Sequence, residues 1–205
     1  MKTVEIIGFK RANLGKSEVK KLRSQGNVPC VIYGGDEQIH FYVPMILFRE
    51  LLYTSEAHFV NLDIEGEEKW CIIQDAQFHP VSEIILHADF LELHEGRPVK
   101  MDIPISLEGQ AKGVLDGGTL MHKRRSLSVK AKPKNMPEKI VVDVTDLDFN
   151  SAIKVSDIEE KDFTILDPKQ ASIAVIEIPR ALRGKTDEDE ELEEGAEAAA
   201  EGAEA

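Results

Sequence analysis

Apolar and polar positions alternate with a period of two through most of the first 93 residues, and two short stretches with a helical period interrupt them. Val4, Ile6 and Gly8 alternate with Thr3, Glu5 and Ile7, which predicts a first strand. Residues 15–25 change phase. At about 100° per residue Lys16, Lys20 and Arg23 fall in one outward stripe, with Val19 and Leu22 as the apolar edge beside it. Gly26 and Asn27 suit a left-handed cap, and Pro29 disfavours helix in the residue before it, so the helix stops there. In the strand that follows, Val28, Cys30 and Ile32 share one face, Val31 and Tyr33 the other, and Gly34, Gly35 and Asp36 make a turn. Residues 39–43 read as a short strand. Pro44 then opens a second helix over residues 45–53, whose stripe of Met45, Phe48, Leu51 and Leu52 reads as core packing. Phe59, Asn61 and Asp63 against Val60, Leu62 and Ile64, the turn at Glu65, Gly66 and Glu67, and the return over 70–74 form a hairpin. Residues 77–93, broken at His79 and Pro80, add a strand over 84–93. Five or six short strands and two helices in about 95 residues predict a small closed or partly closed barrel.

Glu95, Gly96, Arg97 and Pro98 mark the strongest boundary, where polar, Gly and Pro residues cluster. The expected organisation is a barrel domain over residues 1–95, a second β-domain over 96–183 and a tail over 184–205. Residues 99–108, 113–132, 138–144, 163–166 and 172–178 read as strands between Gly and Pro turns. The fold class is therefore mainly β. The tail is mostly Glu, Asp, Ala and Gly, too poor in apolar surface to offset the entropy of ordering, and is expected to be a disordered acidic segment, with a solvated helix as the alternative.

A formal net charge of −13 argues at first against a nucleic-acid partner, but segment charge reverses the argument. Residues 1–35 hold 7 Lys and Arg against 2 Asp and Glu, and residues 96–135 hold 9 against 3. Fields act within about one Debye length, roughly 8 Å at physiological salt, so these two basic blocks act locally as such. No run of apolar residues suits a membrane span and no signal-peptide pattern opens the chain, so a cytoplasmic location is expected. Cys30 and Cys71 sit in apolar strands and read as buried thiols, not as a zinc site or a disulfide framework; no cofactor is implied.

Two constellations carry candidate chemistry. The basic stripe on residues 15–25 suits phosphates. In a strand, His87 and Asp89 share one face while Leu86, Ala88 and Phe90 share the other, which puts the polar pair outside the barrel. No nucleophile accompanies it, and a lone His-x-Asp is a weak ligand set, so spacing alone favours an exposed pair without a role. Lys123, Arg124 and Arg125 with Lys130, Lys132 and Lys134 read either as a second RNA contact or as a charged strand edge that deters pairing with other sheets.

The run Gly15-Lys16, then Lys20-Lys21-Leu22-Arg23, then Gly26-Asn27-Val28-Pro29-Cys30-Val31-Ile32-Tyr33-Gly34 resembles the bacterial large-subunit ribosomal protein family that binds 5S rRNA. The likeness extends to that family's long form, general stress protein CTC, through Val114-Leu115-Asp116-Gly117-Gly118-Thr119-Leu120, Pro137-Glu138-Lys139-Ile140-Val141-Val142-Asp143-Val144 and Ile178-Pro179-Arg180. It covers nearly everything up to about residue 183. Glu18, Val19, Lys20 and Lys21 depart from it, since the family usually carries small residues and arginines there, and lysine lacks the planar fork of arginine.

The resemblance implies a non-enzymatic protein that binds 5S rRNA. By the same implication the contacts are Arg11, Lys16, Lys20, Lys21 and Arg23 on phosphates, with Tyr33, Gln77, His79, His87 and Asp89 toward ribose, phosphate or base edges. The 96–183 domain would touch neighbouring ribosomal components. The alternative is a stress-related protein that binds protein partners through its acidic surface and tail, with incidental RNA affinity; an enzyme built on His87 and Asp89 comes third.

Overall fold

The computed structural model describes residues 1–35, 37–149, 151–158 and 162–177. The tail over 184–205, the closing residues 178–180 and Asp36 of the first turn lie outside them. The first six strands are β1 (Lys2–Lys10), β2 (Asn27–Tyr33), β3 (Ile39–Pro44), β4 (His58–Ile64), β5 (Glu67–Phe78) and β6 (Ile85–Glu92). They close into a barrel in the order β1-β3-β2-β6-β5-β4. Parallel pairing of β1 with β4, from Lys2 opposite His58 to Gly8 opposite Ile64, seals it, and closure leaves no sheet edge exposed. The alternation explains the interior: Ile6, Val28, Cys30, Ile32, Phe41, Val60, Leu62 and Phe90 are inward positions, all nearly or wholly removed from water. Phe90 packs between Phe41 and Phe48, at ring separations of 5.6 and 6.2 Å. Burying each such side chain is worth about 1.5–3 kcal/mol, which is the main force holding the strands in register.

Helix α1 (Lys16–Ser24) joins β1 to β2 and packs on β2. It ends as its composition requires, with Gly26 in the left-handed region at φ +78 and the Gly26 carbonyl accepting the Met45 N–H at 2.9 Å. The stretch expected as one helix over 45–53 is instead a 3₁₀ turn, Met45–Phe48, running into the single α-turn α2 (Arg49–Leu52), with Phe48 buried. Both thiols are buried, and desolvation pushes the pKa of each well up.

After Glu92 the chain forms β7 (Val99–Glu108), α3 (Lys112–Leu115), β8 (Thr119–His122), β9 (Ser126–Ala131), β10 (Ile140–Asp143), β11 (Ala152–Lys154), β12 (Thr164–Ile165) and β13 (Ser172–Glu177). One sheet runs β10-β7-β9-β12 and another β11-β13-β8. The expectation of a strand through 113–132 is corrected: α3 and the turn at Asp116 and Gly117 occupy its start, and a break at Lys123–Arg125 separates β8 from β9. A Cβ at Gly118 would lie 2.5 Å from Ile176 Cγ2 and 2.6 Å from the Gly113 carbonyl oxygen, so the Gly117-Gly118 pair is a close-packed turn. The chain divides into two compact units. Of the described residues, one holds the barrel and the chain up to Ile105 with residues 126–140 and 162–167; the other is assembled from 106–125, 141–149, 151–158 and 168–177 around Ala111, Val144, Leu147, Ala174 and Ile176.

Candidate nucleic-acid interface

Arg23 fixes the geometry of the site. Its Nε and Nη2 both donate to the Leu86 carbonyl, at 3.0 and 2.7 Å, so a guanidinium fork ties the last turn of α1 to the residue before His87. Helical phase alone puts Arg23 outward with Lys16 and Lys20; the structure adds that its long arm folds back onto the barrel, still exposed to water. Lys16, Lys20 and Lys21 are exposed, Val19 and Leu22 half-buried. Lys21 Nζ lies 3.3 Å from Glu18 Oε1, an i,i+3 pair on the surface. Among the described residues Lys16 and Lys20 make no ion pair, which leaves two solvated cations on the helix.

Beside it, the outer face of β2, β6 and β5 carries a different chemistry. Val31 stands opposite Asp89, Asp89 opposite Asp75, and His87 opposite Gln77, so Asp75, Gln77, His87 and Asp89 share one face. His87 Nδ1 is 2.7 Å from Asp89 Oδ1, with both side chains about 30% exposed (29% and 31%). That contact has ion-pair distance without hydrogen-bond geometry, and Asp89 Oδ1 is left without a hydrogen-bond partner. Tyr33, half-buried on β2, has its phenol pKa raised first by burial and then by the Asp89 and Asp75 carboxylates, so the hydroxyl stays a neutral donor and acceptor. Asp75 was missed in the sequence, although its spacing of two from Gln77 puts it on the same face. Like charges directly opposite each other destabilise a sheet, so the Asp75–Asp89 placement suits a ligand that brings hydrogen-bond donors.

Arg11 and His79 sit differently. Arg11 follows β1, its main-chain N–H bonded to the His40 carbonyl at 3.0 Å; its Nη2 donates to Asn13 O at 3.3 Å, and its Nε is buried without a partner. His79 Nδ1 accepts the backbone N–H groups of Val81 and Ser82, at 3.3 and 3.2 Å, so this imidazole holds the β5–β6 turn in shape. Among the described residues no group of three or more His, Cys, Asp or Glu could hold a metal ion, and no helix is long and apolar enough to cross a membrane.

A basic helix locked against a strand face of mixed donors and acceptors has the chemistry of an RNA-facing surface. The family model described as the ribosomal L25p family matches residues 6–90, and that described as ribosomal protein TL5, C-terminal domain, matches residues 98–180. The large ribosomal subunit protein bL25 of Amoebophilus asiaticus is 52% identical over 183 residues, spanning 89% of this chain and 93% of the relative. The proteins of the same name from Cytophaga hutchinsonii and Phocaeicola vulgatus are 48% and 40% identical, spanning 89% and 90% of this chain and 95% and 96% of theirs. The chain belongs to the ribosomal L25p family. That is a family of ribosomal structural proteins, not of enzymes, and the acid–base reading of His87 and Asp89 is set aside on that ground.

Proposed function

We propose that the protein is a structural component of the large ribosomal subunit in the cytoplasm and binds 5S rRNA through α1 and the outer face of β2, β6 and β5. The observation that carries this reading is the Arg23 fork on Leu86, because it holds solvated lysines and the His87–Asp89 pair as one rigid surface. An irregular RNA helix offers phosphates beside a shallow minor groove of 2′-hydroxyls and base edges, and the two halves of the surface match those two kinds of group. Lys16 and Lys20 neutralise phosphate; Asp89, His87, Gln77 and Tyr33 read donors and acceptors, with Asp75 beside them. Arg11, half-buried just after β1, adds a further guanidinium charge for phosphate. The part of the chain that follows the barrel touches neighbouring ribosomal components.

The test is a comparison of 5S rRNA with an unrelated RNA of equal length in a filter-binding assay, using the whole chain and a fragment of residues 1–95. The barrel closes within Lys2 and Glu92, so the fragment should fold and keep most of the 5S rRNA affinity. Equal affinity for the two RNAs, or binding that vanishes in the fragment, would sink the reading. Comigration with large subunits in a low-salt gradient is the expected cellular counterpart.

A further inference from the structure

Residues of the barrel and of the turn after β9 enclose a cleft of about 430 Å³, whose lining includes Trp70, Glu95, Lys132, Pro133, Lys134 and Asn135. Trp70 lies on β5 five residues before Asp75, which on an extended strand is about 17 Å from the Asp75–Gln77 segment that faces His87 and Asp89. Its indole is half-buried, and the ring of Phe59 meets it edge-on at 5.1 Å and 66°, fixing the plane it presents. In the same lining, Lys132 caps the 3₁₀ turn Pro133–Asn135 and Lys134 lies within it, one lysine on each side of Pro133, whose ring restricts the backbone between them. Lys134 Nζ is 3.2 Å from Glu95 Oε1, but both side chains are more than 70% exposed, and such pairs open readily in water. Lys132 makes no ion pair among the described residues. The Asn135 side chain adds an amide with both donors and an acceptor.

An aromatic plane, two ammonium groups and an amide in one cleft correspond to the three parts of a nucleotide: a base that stacks, a phosphate that is neutralised and a base edge that forms hydrogen bonds. We propose that this cleft is a second RNA site, distinct from α1 and the β6 face, and that it takes an unpaired nucleotide stacked on Trp70 with its phosphate between Lys132 and Lys134. Glu95 acts as a placeholder that holds Lys134 in the free protein and gives it up to phosphate. The proposal rests on the ribosomal reading above for the source of the RNA, and it gives part of the 96–135 basic block a role.

Trp70 is the one tryptophan of the chain, so its fluorescence reports this cleft alone. The experiment titrates the whole chain with a five-nucleotide single strand and with purified large-subunit rRNA, following Trp70 emission and, in parallel, retention on filters. Saturable quenching by both RNAs is expected. The double variant Lys132→Ala, Lys134→Ala should weaken the five-nucleotide quench about tenfold, while Lys16→Ala with Lys20→Ala should leave it unchanged. Glu95→Gln should tighten it severalfold, since it frees Lys134. Filter retention of rRNA without any Trp70 quenching overturns the second site and leaves the ribosomal reading standing. Quenching that follows the Lys16 and Lys20 variants instead of the Lys132 and Lys134 variants also overturns it, and failure to retain rRNA at all removes both.

Discussion

Helix α1 and the outer face of β2, β6 and β5 lie side by side, joined at Arg23, yet they are built on opposite electrostatic plans. The helix offers exposed ammonium groups on flexible stems, with no buried residue along its length. The strand face offers carboxylates, an imidazole, an amide and a phenol at positions set by the barrel register, one of them a carboxylate oxygen without a hydrogen bond. Flexible cations on a solvated helix attract any polyanion, whereas fixed acceptors repel one unless it presents donors at matching positions. On the proposed reading affinity and selectivity are divided between two neighbouring surfaces, and each can be altered while the other is kept.

The largest effect is expected from cutting the link. Arg23→Ala removes both hydrogen bonds to Leu86 and frees α1 to move against β6, so 5S rRNA affinity should fall by more than tenfold, since hydrogen bonds to charged groups are worth about 1.5–3 kcal/mol each. Arg23→Lys should recover less than half of the loss, because an ammonium cannot span the carbonyl as a fork does. Full recovery would mean that only the charge mattered.

Asp89→Ala comes next. It should weaken 5S rRNA binding about tenfold, the value of one good base-edge contact, and leave binding to unrelated RNA unchanged or slightly stronger, because a negative charge has gone. Equal weakening on both RNAs would remove the selective role of the strand face. A lowered melting temperature with unchanged selectivity would make Asp89 structural.

Lys20→Ala should act on both RNAs alike, by a few-fold at low salt, and should flatten the slope of log affinity against log salt by about 0.7–0.9. Glu18→Ala, which only releases Lys21 from its surface pair, should change the slope far less. The reverse ranking would mean that Lys21 and Ser17, not Lys16 and Lys20, form the phosphate face.

The smallest effect is on alkaline stability. The Tyr33 phenol has a raised pKa in the fold, with burial the first cause and the Asp89 and Asp75 carboxylates the next. Folding therefore favours the neutral form: the contribution is whole below the ordinary tyrosine value of about 10 and is lost as pH rises through the folded value. Tyr33→Phe should flatten the decline of melting temperature above pH 10. Asp89→Asn should shift that decline only slightly, as burial outweighs the carboxylate.

Much of the barrel was legible because its alternation is regular: Val28, Cys30 and Ile32 inward, Tyr33 outward, and His87 and Asp89 outward together. The second region was harder to read. Gly113 and Gly118 look like strand interruptions in sequence, but their role is contact with Ile176, some sixty residues away in the chain, and no local pattern reveals a partner that distant. The short β11 escaped notice for a similar reason: Ala152–Lys154 acquires its strand character by pairing with β13. In the site, Asp75 was passed over because a carboxylate in a strand usually marks solvent, and only the register with Asp89 gives it company. The back-folding of Arg23 depends on a rotamer, which helical phase does not determine.

Closure of the barrel also sets an order of events during synthesis. All six of its strands are complete once Glu92 is in place, while the other unit interleaves three separate segments and waits for β13, whose last residue is Glu177. Chains emerge from the N-terminus at about 5–20 residues per second, so the barrel has several seconds in which to fold before the last strand of the other unit exists. A nascent chain still attached to its template can therefore already present α1 and β6 as a finished surface. A mutation that slows barrel closure, such as Phe90→Ala, would forfeit that head start and leave both units competing for the same unpaired strands.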